Sequence, residues 1–206
     1  MIPILMADDE TLIRSALATM LSLEDDLEVI ADVGTGEELL AIWAERTAAG
    51  VPVAVAVLDL QMPGIDGIET AVRLLKLSPE AGVLLVTSHG RPGYLKRALA
   101  SGVRGFLPKT ASSSTLATVI RTVHAGGRYV DPELAAEAIS TGDSALTARE
   151  ADVLEFALDG ASVDEIAARA HLSPGTTRNY LSAAMSKLGV GNRYEAAVKA
   201  RDLGWI

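Results

Sequence analysis

Five times in the first 124 residues, a short β-branched or apolar run is followed by a stretch with apolar residues at helical spacing. After that the strand pattern stops. The runs Pro3–Ala7, Leu27–Asp32, Val53–Leu58, Gly82–Val86 and Gly105–Leu107 read as strands. Between and after them, Glu10–Ser22, Gly36–Ala48, Asp66–Leu77, Pro92–Ser101 and Ser112–His124 read as helices. Strict alternation predicts an α/β fold, a doubly wound five-stranded parallel sheet, because right-handed crossovers place helices on both faces. Val53–Leu58 is apolar throughout, as a strand covered on both sides must be.

Beyond Ala125-Gly126-Gly127 only helical patterns remain. Pro132–Ser140 predicts a short helix, and the polar turn Thr141-Gly142-Asp143-Ser144 predicts a linker. Four more helices fit Thr147–Leu158, Val163–Ala170, Pro174–Leu188 and Tyr194–Leu203. Thr147 with Glu150 has the spacing of a capping box, and Ser173-Pro174 that of a cap and first turn. The division expected is residues 1–124, a linker with a short helix over 125–144, and an all-α four-helix domain over 145–206. A chain of 206 residues accommodates two small domains. Only 4% of it is aromatic, so both cores must rest on aliphatic side chains.

The chain has no cysteine, which excludes disulfides, thiolate zinc sites and thiol catalysis. The N-terminus carries no signal-peptide pattern, and apolar runs such as Val51–Leu60 are too short to cross a bilayer. A cytoplasmic protein with no membrane partner is expected. The net charge of -9 argues at first against nucleic acid. The charge is unevenly spread, however. Arg169, Arg178, Lys187, Arg193, Lys199 and Arg201 stand against one acid, Glu195, in the segment they span. Such a local basic stretch can bind phosphates while the rest of the chain repels them.

Asp8 and Asp9 follow the first strand and Asp59 ends the third. In a doubly wound sheet these strands are neighbours, and ligands bind at strand C-termini where the strand order reverses. Three converging carboxylates repel one another and call for a cation, and oxygen ligands suit Mg²⁺. Thr87 and Lys109 fall at the ends of the fourth and fifth strands. A carboxylate nucleophile, a cation, a hydroxyl and an ammonium together make a phosphoryl-acceptor site. Taken singly, each is equally a solvated loop residue; the coincidence of all five carries the reading.

These residues identify a family. Asp8-Asp9, the run from Asp59-Leu60-Gln61-Met62-Pro63-Gly64 to Ile65-Asp66-Gly67, Thr87-Ser88 and Lys109 resemble response-regulator receiver domains, which have a flavodoxin-like fold. The resemblance implies that Asp59 accepts a phosphoryl group from a sensor histidine kinase. It implies Mg²⁺ held by Asp9, Asp59 and the Gln61 carbonyl, with Asp8 acting through water. Thr87 and Lys109 would contact the phosphoryl group. Phe106 stands where the family places a switch aromatic that follows Thr87; it reads equally as a core aromatic at a strand edge. Thr110 stands where many receivers carry a proline. Arg91-Pro92-Gly93-Tyr94 resembles a stretch in regulators of membrane-lipid desaturase expression.

In the C-terminal part, Val163–Ala170, the turn His171-Leu172-Ser173 and Pro174–Leu188 have helix-turn-helix spacing. The second helix opens on Gly175, Thr176, Thr177, Arg178 and Asn179, small or polar residues able to approach a major groove. Arg178 can pair with guanine and Asn179 with adenine; Lys187 and Arg193 are placed for phosphates. The helices alone fit equally a plain four-helix domain with a solvated basic face. Leu146-Thr147-Ala148-Arg149-Glu150, Glu165-Ile166-Ala167, Thr176-Thr177-Arg178-Asn179-Tyr180 and Lys187-Leu188-Gly189-Val190 resemble LuxR-type DNA-binding domains. That resemblance implies that Arg178, Asn179 and Ser182 face bases, and that Thr176, Tyr180 and Lys187 touch the backbone. Tyr180 replaces a frequent histidine and Thr177 a frequent valine.

A phosphorylation-controlled transcription regulator is therefore expected, not an enzyme beyond its own phosphoryl transfer and autodephosphorylation. A dehalogenase-type phosphatase would need an acid two residues after Asp59, where Gln61 stands. A dinucleotide enzyme would need a glycine-rich turn after the first strand, where Asp8-Asp9 stands. A regulator whose C-terminal domain binds protein remains a third reading, separable by mobility shift with salt titration. Such regulators pair on DNA half-sites, and a homodimer on phosphorylation is expected. In the first helix, Leu12, Ile13, Ala16, Leu17 and Met20 are expected to be buried, leaving Arg14, Ser15, Ala18, Thr19 and Ser22 outward. The fifth helix would add Ala117 and Arg121 to that weakly charged face. The fourth helix and fifth strand, with Arg91, Lys96, Arg97, Arg104 and Lys109, would repel a symmetry mate.

Overall fold

In a computed structural model of the protein, the described residues are all but 52, 89–91, 141–143 and 204. They divide into two compact units, Met1–Gly90 with Leu95–Leu134 and Arg91–Tyr94 with Ala135–Ile206. Arg91 and most of the expected linker turn lie outside the described residues.

The first unit is a parallel sheet of order β2-β1-β3-β4-β5-β6. Its strands are β1 (Ile2–Ala7), β2 (Leu27–Val33), β3 (Val55–Asp59), β4 (Gly82–Thr87), β5 (Gly105–Pro108) and β6 (Tyr129–Val130). The helices are α1 (Thr11–Leu21), α2 (Gly36–Ala48), α3 (Gly67–Leu77), α4 (Pro92–Ala100) and α5 (Ser113–His124). The sheet has six strands, one more than the sequence predicts. The added edge strand, β6, is two residues long, below the length at which alternation is visible, and it pairs with β5 through Gly105 and Phe106.

β3 and β4 are buried along their whole length. On one face Ile4, Met6, Val55, Val57, Leu84 and Val86 pack with Leu116, Val119, Ile120 and Val123 of α5 and Leu21 of α1. The register places functional residues side by side. Ala7 pairs with Leu58, so Asp8 and Asp59 emerge together; Thr87 pairs with Pro108, so Lys109 emerges beside it. Gly67 opens α3 hard against the end of β3, where a Cβ would lie 2.2 Å from the Asp59 carbonyl oxygen. No larger residue fits that approach.

Helix α1 corrects the expected burial. Leu12 is 84% exposed and Met20 45% exposed, and Ala16 is exposed too. Leu21 is buried instead, with Leu17 and Ala18 packed against the core. The helix carries two apolar stripes, Leu12-Ala16-Met20 and Ile13-Leu17-Leu21, and periodicity cannot tell which one faces the sheet.

The second unit contains α7 (Ala148–Glu155), α8 (Val163–Arg169), α9 (Pro174–Leu188) and α10 (Arg193–Asp202), with α6 (Pro132–Ser140) preceding them. Its core is Val153, Leu154, Ile166, Leu181, Ala184, Leu188 and the alanines of α10. Thr147–Glu150 forms the expected capping box, and Ser162–Glu165 forms a second one. Ser173 caps α9 with Pro174 in its first turn. The turn between α8 and α9 is made by His171 at φ 53, a left-handed conformation.

Candidate functional site

At the sheet's C-terminal edge, Asp8, Glu10 and Asp59 bring carboxylate oxygens within 4.8 Å of one another. Lys109 lies among them. Its Nζ is 2.8 Å from Asp8 Oδ2, 2.8 Å from Glu10 Oε1 and 3.3 Å from Asp59 Oδ2. Asp8 and Asp59 are buried, and the Lys109 side chain is only 5% exposed. Lys109 therefore belongs to this pocket and not to the cationic outer face expected for it.

Burial is the main influence on Asp59. Lys109 pulls the other way, Asp8 and Asp9 add repulsion, and the carboxyl is left at about 7. Asp8 is raised as well, by burial first, with Lys109 and the Glu10 N–H acting against it. Burial would lower Lys109, but the close contacts with the Asp8 and Glu10 carboxylates and the charge of Asp59 raise it above the ordinary lysine value. The ammonium is thus permanently charged.

The acidic cluster has the chemistry of a cation site. Asp8 Oδ2 is buried and accepts no well-directed hydrogen bond, despite its short distance to Lys109. A buried carboxylate oxygen short of well-directed donors, beside two further carboxylates, suits a hard cation such as Mg²⁺. Asp9 is half-buried and stands outside the three-residue group, although its charge reaches Asp59. Gln61 is half-buried, two residues past β3. Glu10 was missed by sequence reasoning, which stopped at the paired aspartates. Its position next to Asp9 on the same loop was the available signal.

The loop after β3 is tied from outside by Glu37 of α2, whose Oε1 accepts from Ile65 N at 3.1 Å. Gly64, at φ +78, leaves room for that carboxylate. Thr87 is buried, and its carbonyl accepts from Lys109 N at 2.7 Å. Phe106 is fully buried, so its ring already occupies a core position.

In the C-terminal unit, Arg178, Asn179 and Ser182 are exposed along α9, and Thr176 is half-buried. Tyr180 is half-buried against the domain core. Thr177 is fully buried and donates its hydroxyl to the Ser173 carbonyl at 3.0 Å, which explains how it replaces an aliphatic residue. Lys187 is not a free cation. Its Nζ lies 2.7 Å from Glu150 Oε2, the oxygen that also accepts from Thr147 N at 2.6 Å. Burial works to raise Glu150, but Lys187 and the Thr147 groups outweigh it and hold the carboxyl below its usual value. Arg193 is half-buried at the start of α10.

Of the residues expected on a pairing face, Ser15, Thr19 and Ser22 are exposed. Three are corrected. Ala117 is 1% exposed, because α5 turns it onto the sheet. Ala18 packs against the same core. Arg14 turns inward, donating to the Asp8 carbonyl and to Asp32 Oδ2. Arg121 is half-buried and engaged by Glu24 and Asp26.

This geometry agrees with the proteins the chain is similar to. Residues 4–121 match the response regulator receiver domain, and residues 144–200 match the bacterial regulatory proteins of the luxR family. The chain therefore belongs to the response regulators that join a receiver to a LuxR-type helix-turn-helix domain, transcription regulators of two-component systems. It is 38% identical over 206 residues to the transcriptional regulatory protein DesR of Bacillus subtilis (strain 168), covering 100% of both chains. It is also 38% identical over 208 residues to the transcriptional regulatory protein UhpA of Escherichia coli (strain K12), again covering 100% of both. Among solved structures, the response regulator ChrA of a heme-sensing two-component system is similar, at a TM-score of 0.56 and 31% identity. That match covers 100% of this chain and 98% of the other.

Proposed function

We propose that phosphorylation of Asp59 by a sensor histidine kinase controls DNA binding by this chain. The receiver would be residues 1–124, the linker 125–144 and the DNA-binding domain 145–206. The carrying observation is the convergence of buried Asp8 and Asp59 on the ammonium of Lys109 at the sheet's C-terminal edge. The ionised Asp59 carboxylate attacks the phosphorus of phosphohistidine; an O–P bond forms, the N–P bond breaks, and the imidazole leaves. Lys109 and the Thr87 hydroxyl receive the phosphoryl oxygens. Asp8, Asp59 and Glu10 would hold Mg²⁺, joined by Asp9 and the Gln61 carbonyl as in the receiver family. That ion would neutralise the gathered carboxylates and the incoming oxygens. The receiver's chemistry is limited to gaining and losing this group.

On the DNA side, Arg178, Asn179 and Ser182 lie exposed along the first nine residues of α9 and read bases in paired promoter half-sites. Thr176, Tyr180 and Arg193 would contact the DNA backbone. Lys187 reaches phosphate only by leaving Glu150. Phosphorylation favours a homodimer through α1 and α5, which are neighbours. The exposed stripe Leu12-Ala16-Met20 supports this, as do the hydroxyls around it. Thr19, Ser22, Thr118 and Thr122 all donate to backbone carbonyls of their own helices, so the face buries at low desolvation cost. Action in the cytoplasm fits a DNA-binding regulator. Among the described residues, no helix is long and apolar enough to cross a membrane.

Incubation with acetyl phosphate and Mg²⁺ tests the acceptor. Base-labile label is expected on the parent chain and none on Asp59→Asn. Full labelling of Asp59→Asn would overturn the assignment.

A further inference from the structure

An ammonium has three N–H donors, and at Lys109 three carboxylates compete for them. Only Glu10 takes a well-directed hydrogen bond, at 2.8 Å to Oε1. Asp8 Oδ2 is close but off direction, and Asp59 Oδ2 is 3.3 Å away. Asp8 and Asp59 cannot move aside. Both are buried, and each is pinned through Oδ1, by Glu10 N and by Leu60 N, at 2.8 Å in both cases. The Glu10 side chain is 51% exposed and makes no cap for α1. Among the described residues, it is the one partner of Lys109 able to swing into solvent.

We propose that Glu10 is an internal competitor for Lys109, a rim carboxylate that holds the hydrogen bond a phosphoryl oxygen would take and so slows loading of Asp59. This rests on Asp59 being the acceptor. Two effects act in the same direction. The Glu10–Lys109 bond stabilises the unloaded site, and a charge-assisted bond is roughly twice as strong as a neutral one. The Glu10 charge also repels the incoming phosphoryl dianion, alongside Asp8 and Asp9. In the unloaded site the same charge has the opposite consequence for a divalent cation, which it attracts. Glu10 thus strengthens Mg²⁺ binding and opposes phosphorylation, a pairing that general loosening of the pocket would not produce.

The test uses the full-length chain with acetyl phosphate as donor. The Asp59 carboxylate displaces acetate, forming one O–P bond as the other breaks. At saturating Mg²⁺, Glu10→Gln and Glu10→Ala are each expected to load Asp59 at least about threefold faster than the parent. Calorimetric titration of the unphosphorylated chains should show weaker Mg²⁺ binding in both variants. Loading at the parent rate or slower in both variants overturns the inference, and so does unchanged or tighter Mg²⁺ binding. Asp59→Asn runs in parallel. If label persists there, the acceptor assignment fails and this inference falls with it. If label requires Asp59 but ignores Glu10, only this inference fails.

Discussion

Asp59→Asn, without Mg²⁺, should stabilise the receiver at alkaline pH. Folding raises the Asp59 pKa from 3.8 to about 7, chiefly by burial. A raised carboxyl pKa means that the folded state binds the proton more tightly than the unfolded chain. The parent's stability is therefore fullest below the unfolded value, declines as pH rises, and levels off above pH 7. Each unit is worth about 1.4 kcal/mol, so a shift of roughly three units sets an upper limit near 4 kcal/mol. An effective dielectric well above that of dry protein, and the loss of one Lys109 partner, reduce this to about 2 kcal/mol. Asparagine mimics the neutral acid, so the variant should gain that amount at pH 8 and almost nothing at pH 4. Urea unfolding followed through Trp43, buried at 1% exposure, reads the receiver directly in a Trp205→Phe background. Saturating Mg²⁺ should return stability to the parent alone, by about 1.4 kcal/mol at tenfold excess over Kd. A variant no more stable than the parent at pH 8, or a gain that does not shrink on acidification, would refute the reasoning.

Three other outcomes follow from the same geometry. Arg178→Ala should cost about 1–3 kcal/mol on a specific operator and much less on random DNA; equal losses would make Arg178 a phosphate contact. Glu150→Ala should destabilise the C-terminal domain by about 1–3 kcal/mol in thermal melts, since it removes the N-terminal box of α7 and strands Lys187. Because the Glu150 pKa is lowered from 4.5 in the fold, that parental advantage should be present above pH 4.5 and disappear as pH falls through the folded value. Thr19→Arg should keep the phosphorylated chain monomeric in sedimentation; normal dimerisation there, with loss in Arg97→Glu, would move the interface to α4.

The alternation of five strands with five helices, the adjacency of the first and third strands and the meeting of Asp8 with Asp59 were legible because apolar periodicity and strand-end placement are local signals with few competing solutions. The orientation of α1 was not, since Leu12-Ala16-Met20 and Ile13-Leu17-Leu21 are equally apolar and only packing against the sheet chooses between them. Side-chain partners were legible only where a local spacing imposes them. The Thr147–Glu150 box follows from three residues of sequence, whereas the Glu150–Lys187 pair joins positions 37 apart. Glu10 on Lys109 spans 99 positions; the sequence places Glu10 beside the paired aspartates but does not name its partner.

These long-range pairs bear on how a chain of net charge -9 manages DNA. From Arg169 to Arg201 the sequence is basic, but most of that charge is committed. Arg169 lies 3.5 Å from Asp159, Lys187 2.7 Å from Glu150 and Arg201 3.7 Å from Asp202. Lys199 donates to the Leu188 carbonyl at the C-terminus of α9, at 2.8 Å. Within this stretch, and among the described residues, Arg178 and Arg193 carry no ion pair. A monomer thus offers few cations to phosphate, and each neutralised phosphate adds about -0.9 to the slope of log K against log salt. The unphosphorylated chain on a half-site should show a slope of only about -1 to -2, and the phosphorylated dimer on a full site about twice that. If monomer binding is that weak, pairing becomes decisive, because the second subunit's contacts are then made at the effective concentration set by the first. Fluorescence anisotropy across a salt series measures both slopes. A monomer slope steeper than about -5 would mean that the paired cations open onto DNA, and that occupancy does not depend on dimerisation.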